Sequence, residues 1–201
     1  MVECDIRVSL DGEIVLSHDN EVKDVHGNRF IISETTSTTL SEIDLGSGEG
    51  VPTLNSLVEI VKGSTGIMAD MKCSGAYVER RVVEQLKPVS TDKKLVAGAS
   101  RESRQFMKSL DNKLHVSLSL GAADRSELQS VEIDAFIQFM EADAVTWQYP
   151  LLNEKIVTAL HAHGKSVFAW TVDEPSIMRA LQNMDVDGII TNRVDLFNET
   201  F

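Results

Sequence analysis

Cysteine, proline and aromatic residues are scarce in this chain of 201 residues, which has two Cys, four Pro and 5% aromatic residues. Cys4 and Cys73 are too few for a disulfide framework, and neither lies in a CxxC or Cys/His spacing that would indicate zinc. No apolar run approaches the roughly 18 to 20 residues that cross a bilayer, and the N-terminus lacks the basic and apolar regions of a signal peptide. These absences predict a soluble, cytoplasmic chain without a membrane span, unless a signal precedes Met1.

Basic residues are also in deficit, with 19 Lys and Arg against 31 Asp and Glu and a formal net charge of −12. Binding to nucleic acid or to an anionic membrane depends on clustered basic residues, so neither partner is expected. Hydrophobic residues make up 42% of the chain and charged residues 25%, a usual globular mixture. We therefore expect one folded domain over residues 1–201, or at most two small ones.

Short apolar runs rich in β-branched residues alternate with amphipathic stretches, a succession typical of α/β proteins. The runs predict strands at residues 2–8, 13–17, 65–70, 94–99, 114–119, 144–147, 166–170 and 188–190. Apolar residues at i, i+3 and i+4 spacing predict helices at residues 53–62, 76–86, 101–110, 133–141, 153–163 and 174–183. The connections are long enough for parallel strands, which leaves a doubly wound sheet or a barrel.

The choice between these two folds depends on the end of the first strand. A Gly-rich nucleotide-binding loop is absent, and residues 11–12 instead form an Asp-Gly turn that reverses the chain. We predict a (β/α)8 TIM barrel with about seven of its eight βα units, the missing unit preceding Met1, since a typical barrel has about 250 residues. The weakly periodic segment at 19–52 is expected to be an excursion between a strand and its helix, with a flexible linker as the alternative. The open strand edges of such a barrel predict either a marginally stable chain or a homo-oligomer.

Two pairs of charged residues lie two positions apart in predicted strands, so the members of each pair point to the same face. Glu3 and Asp5 form the first pair, and Asp70 and Lys72 form the second. Neighbouring carboxylates repel unless a proton, a basic group or a cation is present, and hard cations such as Mg²⁺ or Ca²⁺ take carboxylate oxygens. A cation cage beside a phosphate-binding Lys72 is one interpretation. A solvated edge strand and a surface Asp–Lys pair would also account for these residues.

One histidine and one tryptophan follow or close predicted strands. His18 comes just after the strand at 13–17, where its near-neutral pKa makes it a proton-transfer candidate, with an ordinary surface histidine as the alternative. Trp170 closes the strand at 166–170, where its ring could pack against the apolar edge of a substrate or belong to the core. Trp147 has the same two interpretations.

Taken in order, these motifs resemble those of the glycerophosphodiester phosphodiesterase family, whose members are (β/α)8 barrels. The chain has E-x-D at residues 3–5, D-G at 11–12, H-D at 18–19 and W-T-V at 170–172. Its V-P-T-L at 51–54, D-M-K at 70–72 and V-D-G-I-I-T-N at 186–192 resemble the family's I-P-T-L, E-x-K and G-V-D-G-I-I-T-D segments. The resemblance extends over almost the whole chain, and the order of the segments makes it specific.

The resemblance implies a metal-dependent hydrolysis of small glycerophosphodiesters to glycerol 3-phosphate and an alcohol. By this resemblance, Glu3, Asp5 and Asp70 hold a divalent cation, Mg or Ca, Lys72 contacts a phosphate oxygen, and His18 transfers protons. A glycerol hydroxyl attacks phosphorus to form a cyclic phosphate, which water then opens. The cation would also explain how an acidic protein binds an anion.

Three departures from the family pattern affect this expectation. The family's His-Arg pair and P-E-N-T segment are lacking, Asp70 replaces Glu, and Asn192 replaces the final Asp. Because that histidine is the second acid/base group, its loss implies activity impaired by about 10²- to 10⁴-fold. A catalytically weak barrel that binds a metal or ligand is therefore an alternative, and an enzyme acting on lysophospholipids is a third.

Overall fold

The computed structural model describes residues 1–61, 63–125 and 132–196, and the chain forms two compact units, Met1–His115 and Val116–Phe201. The predicted domain at 1–201 also includes residue 62, residues 126–131 and residues 197–201. These lie outside the described residues. Each unit is built from parallel strands that alternate with helices.

The first unit has a sheet with the strand order β2-β1-β5-β6 and a separate hairpin formed by β3 and β4. Its strands are β1 (Val2–Val8), β2 (Ile14–Leu16), β3 (Glu21–Lys23), β4 (Arg29–Ile31), β5 (Ile67–Met71) and β6 (Lys94–Ala97). Its helices are α1 (Ser37–Glu42), α2 (Leu54–Val61), α3 (Ala76–Gln85) and α4 (Arg101–Leu110). β1, β5 and β6 run parallel, while β2 pairs antiparallel with β1.

The turn between β1 and β2 forms at the predicted Asp-Gly pair. Gly12 adopts a φ of 85°, in the left-handed region that glycine enters without steric cost, and its N–H donates to the carbonyl of Ser9. Tyr77 of α3 donates its hydroxyl to the Gly12 carbonyl, and a Cβ at position 12 would overlap that ring. This turn returns the chain along β1 and so places His18 beside the strand that carries Glu3 and Asp5.

The segment at 19–52 contains short elements that the sequence pattern does not reveal. Three-residue strands and a six-residue helix are too short to display a period, so β3, β4 and α1 are additions to the prediction. An apolar cluster anchors the segment on β2, and its members are Val15, Ile32, Leu40, Ile43 and Val51. The chain then rejoins the sheet, where the Leu16 N–H donates to the Pro52 carbonyl.

The second unit is a parallel sheet with the strand order β7-β8-β9-β10. Its elements are β7 (His115–Leu120), β8 (Ala144–Gln148), β9 (Ser166–Trp170), β10 (Gly188–Ile189), α5 (Ile133–Phe139), α6 (Glu154–Ala162) and α7 (Pro175–Asn183). Trp147 is fully buried in its core, with its ring edge-to-face against Phe136 at 6.1 Å between centroids. Its core interpretation is therefore the correct one.

The predicted strands agree with the observed ones to within a few residues at each end. The predicted helix at 53–62 corresponds to α2, and its predicted last residue, Lys62, lies outside the described residues. Within the described parts of the chain, none of the helices has both the length and the hydropathy that a membrane span needs.

Candidate active site

The candidate site begins on one face of β1. Because side chains alternate along a strand, Glu3, Asp5 and Arg7 point to the same side, while the fully buried Ile6 points to the other. The parallel register with β5 then sets Asp5 directly opposite Asp70. Two acids from one strand and one from its neighbour are therefore side by side, as the sequence spacing predicts.

Carboxylate oxygens of Glu3, Asp5 and Asp70 all lie within 4.8 Å of one another. Oxygens at such separations can all reach a single hard cation, which takes carboxylate ligands at roughly 2.0–2.6 Å. Among the described residues, no other three Asp, Glu, Cys or His side chains lie closely enough together to hold a metal. The predicted cation ligands are thus assembled in one place.

Lys72 bridges two of these acids. Its Nζ lies 3.0 Å from Asp5 Oδ1 and 3.0 Å from Asp70 Oδ2, with all three side chains about one quarter exposed. Burial acts to lower the pKa of Lys72, but the hydrogen bonds and charges of Asp70 and Asp5 outweigh it and hold the pKa above its usual range. Lys72 is therefore a charged group within the acidic cluster and more than a simple surface pair.

One ammonium group does not neutralise three carboxylates. Burial, followed by the charges of Asp5 and Asp70, raises the pKa of Glu3 from 4.5 to about 7, although Lys72 and His18 act in the opposite direction. Near neutral pH, Glu3 therefore carries a proton for part of the time. A cation bound among these oxygens would displace that proton, since metal ligation requires the ionised carboxylate.

Asp70 has a buried oxygen, Oδ1, that has no hydrogen-bond partner among the described residues. An unpaired buried carboxylate oxygen is costly, and a metal ion is one of the partners that removes this cost. Gly98, just after β6, provides the space, because a Cβ there would lie 2.0 Å from Asp70 Oδ1. The oxygen-only donor set and the unpaired Oδ1 both fit Mg²⁺ or Ca²⁺.

His18 lies just beyond β2, on the edge of the cluster. Its Nδ1 is 2.8 Å from Asp19 Oδ1, and its side chain is 70% exposed. The charge of His18 contributes to lowering the pKa of Glu3, so the imidazole is near enough to act on the acids electrostatically. Its backbone is held by Arg7, whose Nε donates to the His18 carbonyl at 2.9 Å.

Known protein families were compared with the whole chain. The model of the "Glycerophosphoryl diester phosphodiesterase family" matches residues 1–196. The chain belongs to this family. A Mycobacterium tuberculosis protein named "Probable glycerophosphodiester phosphodiesterase 2" is 26% identical over 98% of this chain and 78% of its own length. A glycerophosphodiester phosphodiesterase of Caldanaerobacter subterraneus subsp. tengcongensis is 23% identical over 95% and 81% of the two chains.

Solved structures of glycerophosphodiester phosphodiesterases share the fold. A phosphodiesterase of Oleispira antarctica, solved with its product sn-glycerol-3-phosphate, has a TM-score of 0.81 at 20% identity, covering 99% of this chain and 83% of its own. The Thermotoga maritima enzyme has a TM-score of 0.77 at 24% identity, covering 100% and 84%. The predicted family and the predicted α/β TIM-barrel class are both confirmed.

Trp170 is the last residue of β9, in the second unit. Its indole N–H donates to the Thr146 carbonyl at 2.7 Å. Its ring lies beside Gly121, where an added Cβ would be 3.6 Å from the nearest ring atom. The ring is half-buried, which leaves part of it accessible. Its role in binding substrate stays a prediction.

Asn192, where the family pattern has Asp, follows β10. Its backbone N–H and side-chain Nδ2 both donate to Asp173, at 2.8 and 3.1 Å, and the Thr191 hydroxyl donates to the same carboxylate. Hydrogen bonds from Asn192, then from Thr191, hold the pKa of Asp173 below its usual range. The amide therefore joins the loops after β9 and β10, as expected for a structural role.

Two contributors to the site are absent from the sequence prediction. Arg7 could have been found, because it continues the i, i+2, i+4 alternation that Glu3 and Asp5 begin. Gly98 carried no such signal, because only the pairing of β5 with β6 brings position 98 so close to Asp70 that a Cβ there would overlap Oδ1.

Proposed function

We propose that this chain hydrolyses small glycerophosphodiesters to glycerol 3-phosphate and an alcohol, with a divalent cation held by Glu3, Asp5 and Asp70. The observation that carries the proposal is the convergence of these three carboxylates within 4.8 Å, with Lys72 bonded to two of them. Membership of the phosphodiesterase family and the product named for the Oleispira structure support it.

When held by Glu3, Asp5 and Asp70, a Mg²⁺ or Ca²⁺ ion would supply positive charge for the nonbridging phosphoryl oxygens of the substrate. This contribution matters in a protein with a net charge of −12, which would otherwise repel a phosphodiester. Lys72 adds a second positive charge at the same place and contacts a phosphate oxygen as a point charge. Together they favour the charge that accumulates during attack on phosphorus.

His18 is the proton-transfer group of this proposal. A glycerol hydroxyl of the substrate loses its proton and attacks phosphorus, the alcohol leaves with a proton, and water then opens the cyclic phosphate to glycerol 3-phosphate. The imidazole of His18 accepts or delivers one of these protons, and solvent water exchanges the other, with Asp19 orienting the ring through Nδ1.

A catalytically weak barrel that binds the cation or a ligand is the second candidate. The observation that favours it is the 70% exposure of the His18 side chain, since an exposed imidazole is held less firmly for proton transfer. Both candidates require the same three acids, so they differ in turnover and not in cation binding.

The decisive measurement is release of glycerol 3-phosphate from glycerophosphocholine with Ca²⁺, with Mg²⁺ and with a chelator. We expect cation-dependent turnover that Glu3→Ala reduces by at least about 10²-fold. Glu42→Ala, which changes an exposed acid at the end of α1, should retain it. Stabilisation of the fold by the cation without any turnover would favour the binding protein. An unfolding temperature insensitive to both cations would contradict the metal site itself.

A further inference from the structure

Arg7 joins two segments of the site through their backbones. Its Nε donates to the His18 carbonyl at 2.9 Å, and its Nη1 donates to the Lys72 carbonyl at 3.3 Å. One of these residues follows β2 and the other follows β5, so a single side chain bonds to both neighbours of β1.

The same two segments are also tied to β1 by its own backbone. The Ser17 N–H donates to the Asp5 carbonyl, and the Lys72 N–H donates to the Ile6 carbonyl, each at 3.0 Å. These bonds end where β2 and β5 end. Arg7 adds a bond to the carbonyls of His18 and Lys72, beside weaker local contacts such as that of the Cys73 thiol with the Ile6 carbonyl at 4.0 Å.

Arginine suits this task better than any other side chain. Its guanidinium is planar and presents five N–H donors in fixed directions, so two carbonyls on different segments can be bonded by one rigid group. The Arg7 side chain starts from the face of β1 that also carries Glu3 and Asp5. It therefore relates His18 and Lys72 to the acids through a single strand.

We propose that Arg7 is a positioning residue that sets His18 and Lys72 relative to the acidic cluster by holding both backbone carbonyls. The proposal rests on the function proposed above. Misplacement of reacting groups by about 1 Å can cost about 10²-fold in rate, so the two hydrogen bonds have a measurable effect on turnover.

The first test compares Arg7→Met and Arg7→Lys with the wild type in the glycerol 3-phosphate assay. Arg7→Met should lower kcat by about 10- to 100-fold with a smaller change in KM, and Arg7→Lys should recover part of the loss. Stabilisation by Ca²⁺ should persist, because Glu3, Asp5 and Asp70 are unchanged. Arg29→Met, at an exposed arginine paired with Glu21, is the control and should behave as the wild type. Wild-type kcat in Arg7→Met would overturn the proposal.

A double-mutant cycle separates positioning from a general loss of stability. If Arg7 acts through His18, adding Arg7→Met to His18→Asn should lower kcat by clearly less than Arg7→Met does alone. Equal losses in both backgrounds would show that Arg7 does not act through His18, and would also overturn the proposal.

Hydrogen exchange tests the same idea without turnover. In Arg7→Met, amide exchange should accelerate at residues 17–19 and 72–74, while the central residues of β5 exchange as in the wild type. Unchanged exchange at both loops would refute the positioning role even if the wild type is inactive. Faster exchange with an inactive wild type would leave Arg7 as a positioning residue and refute the phosphodiesterase instead.

Discussion

Polar side chains line parallel strands in both units, but the two sets differ in how far their charges and hydrogen-bonding groups are satisfied. On β1 and β5, Glu3, Asp5 and Asp70 share the single ammonium group of Lys72, and Asp70 Oδ1 is buried without a partner. On β7 and β8, the hydroxyls of Ser117 and Ser119 both bond to Thr146 Oγ1, at 3.0 and 2.6 Å.

This difference indicates which unit needs a ligand. Hydroxyls can donate and accept, so the set on β7 and β8 satisfies itself without further charge. Ionised carboxylates only accept, so the acids on β1 and β5 require protons or cations from outside the strand pair. The acids that could bind a cation therefore lie in the first unit. Trp147 Nε1 on β8 is also buried without a hydrogen-bond partner among the described residues, but an N–H group is a donor and cannot bind a cation.

Gly98→Ala should have the largest effect, because it fills the space beside Asp70 Oδ1. The Cβ would also lie 2.7 Å from the Met71 carbonyl oxygen, so both the carboxylate and the β5 backbone must move. We expect cation-dependent glycerol 3-phosphate release to fall by at least about 10²-fold. Gly27→Ala is the matched control, since Gly27 has a similar φ of 85° with nothing within 4 Å of its Cβ. The control should lose only about 1–2 kcal/mol of stability, from backbone strain. Similar cation affinities for the two variants would contradict the assignment of Asp70 as a ligand.

The pH dependence of stability should reveal the crowding of acids around Glu3. Because its pKa rises from 4.5 to about 7 on folding, the folded state holds a proton that the unfolded state has released. The stability contributed by Glu3 is therefore complete below about pH 4.5 and is lost as the pH rises through about 7. Urea unfolding in a chelator should show the wild type losing stability relative to Glu3→Gln across this window. Saturating Ca²⁺ should remove the loss, and a constant difference without cation would contradict the prediction.

Thr146→Val tests the self-satisfied set in the second unit. Thr146 is 2% exposed, and the substitution removes the oxygen shared by Ser117 and Ser119. We expect a loss of about 1–3 kcal/mol in the free energy of unfolding, because two hydroxyls lose a partner. Ca²⁺ affinity, measured by calorimetry, should stay within about twofold of the wild type. A large change in that affinity would mean that the hydroxyl set belongs to the cation site.

Asn192→Asp should have the smallest effect. It brings a second carboxylate against Asp173 and removes the Nδ2 donor, so the pKa of Asp173 should rise. Asn192→Ala removes the donor alone, and the difference between the two variants therefore measures the repulsion. We expect Asn192→Asp to melt about 2 °C below Asn192→Ala at neutral pH, with the difference fading as the pH falls below about 4. Equal melting temperatures would show that the two side chains do not interact.

Local sequence patterns predicted the long strands, the turn and the strand faces, because each of these patterns involves only residues that are close together in the chain. Alternation placed Glu3 and Asp5 on one face, the Asp-Gly pair placed the turn at Gly12, and apolar runs placed the long strands. The short elements at 21–42 were missed because they are held by the cluster around Val15 and not by their own periodicity.

The alternation of strands and helices, the family resemblance and the predicted acids follow from spacing along one chain, so they can be found before folding is considered. Which residues meet depends on how the strands pair. The β1–β5 register sets Asp5 opposite Asp70, Gly98 just after β6 leaves space for Asp70 Oδ1, and the guanidinium of Arg7 joins His18 to Lys72. Such contacts connect residues far apart along the chain, so they exist only after strands pair, when register and backbone conformation are set by the packing of the whole unit.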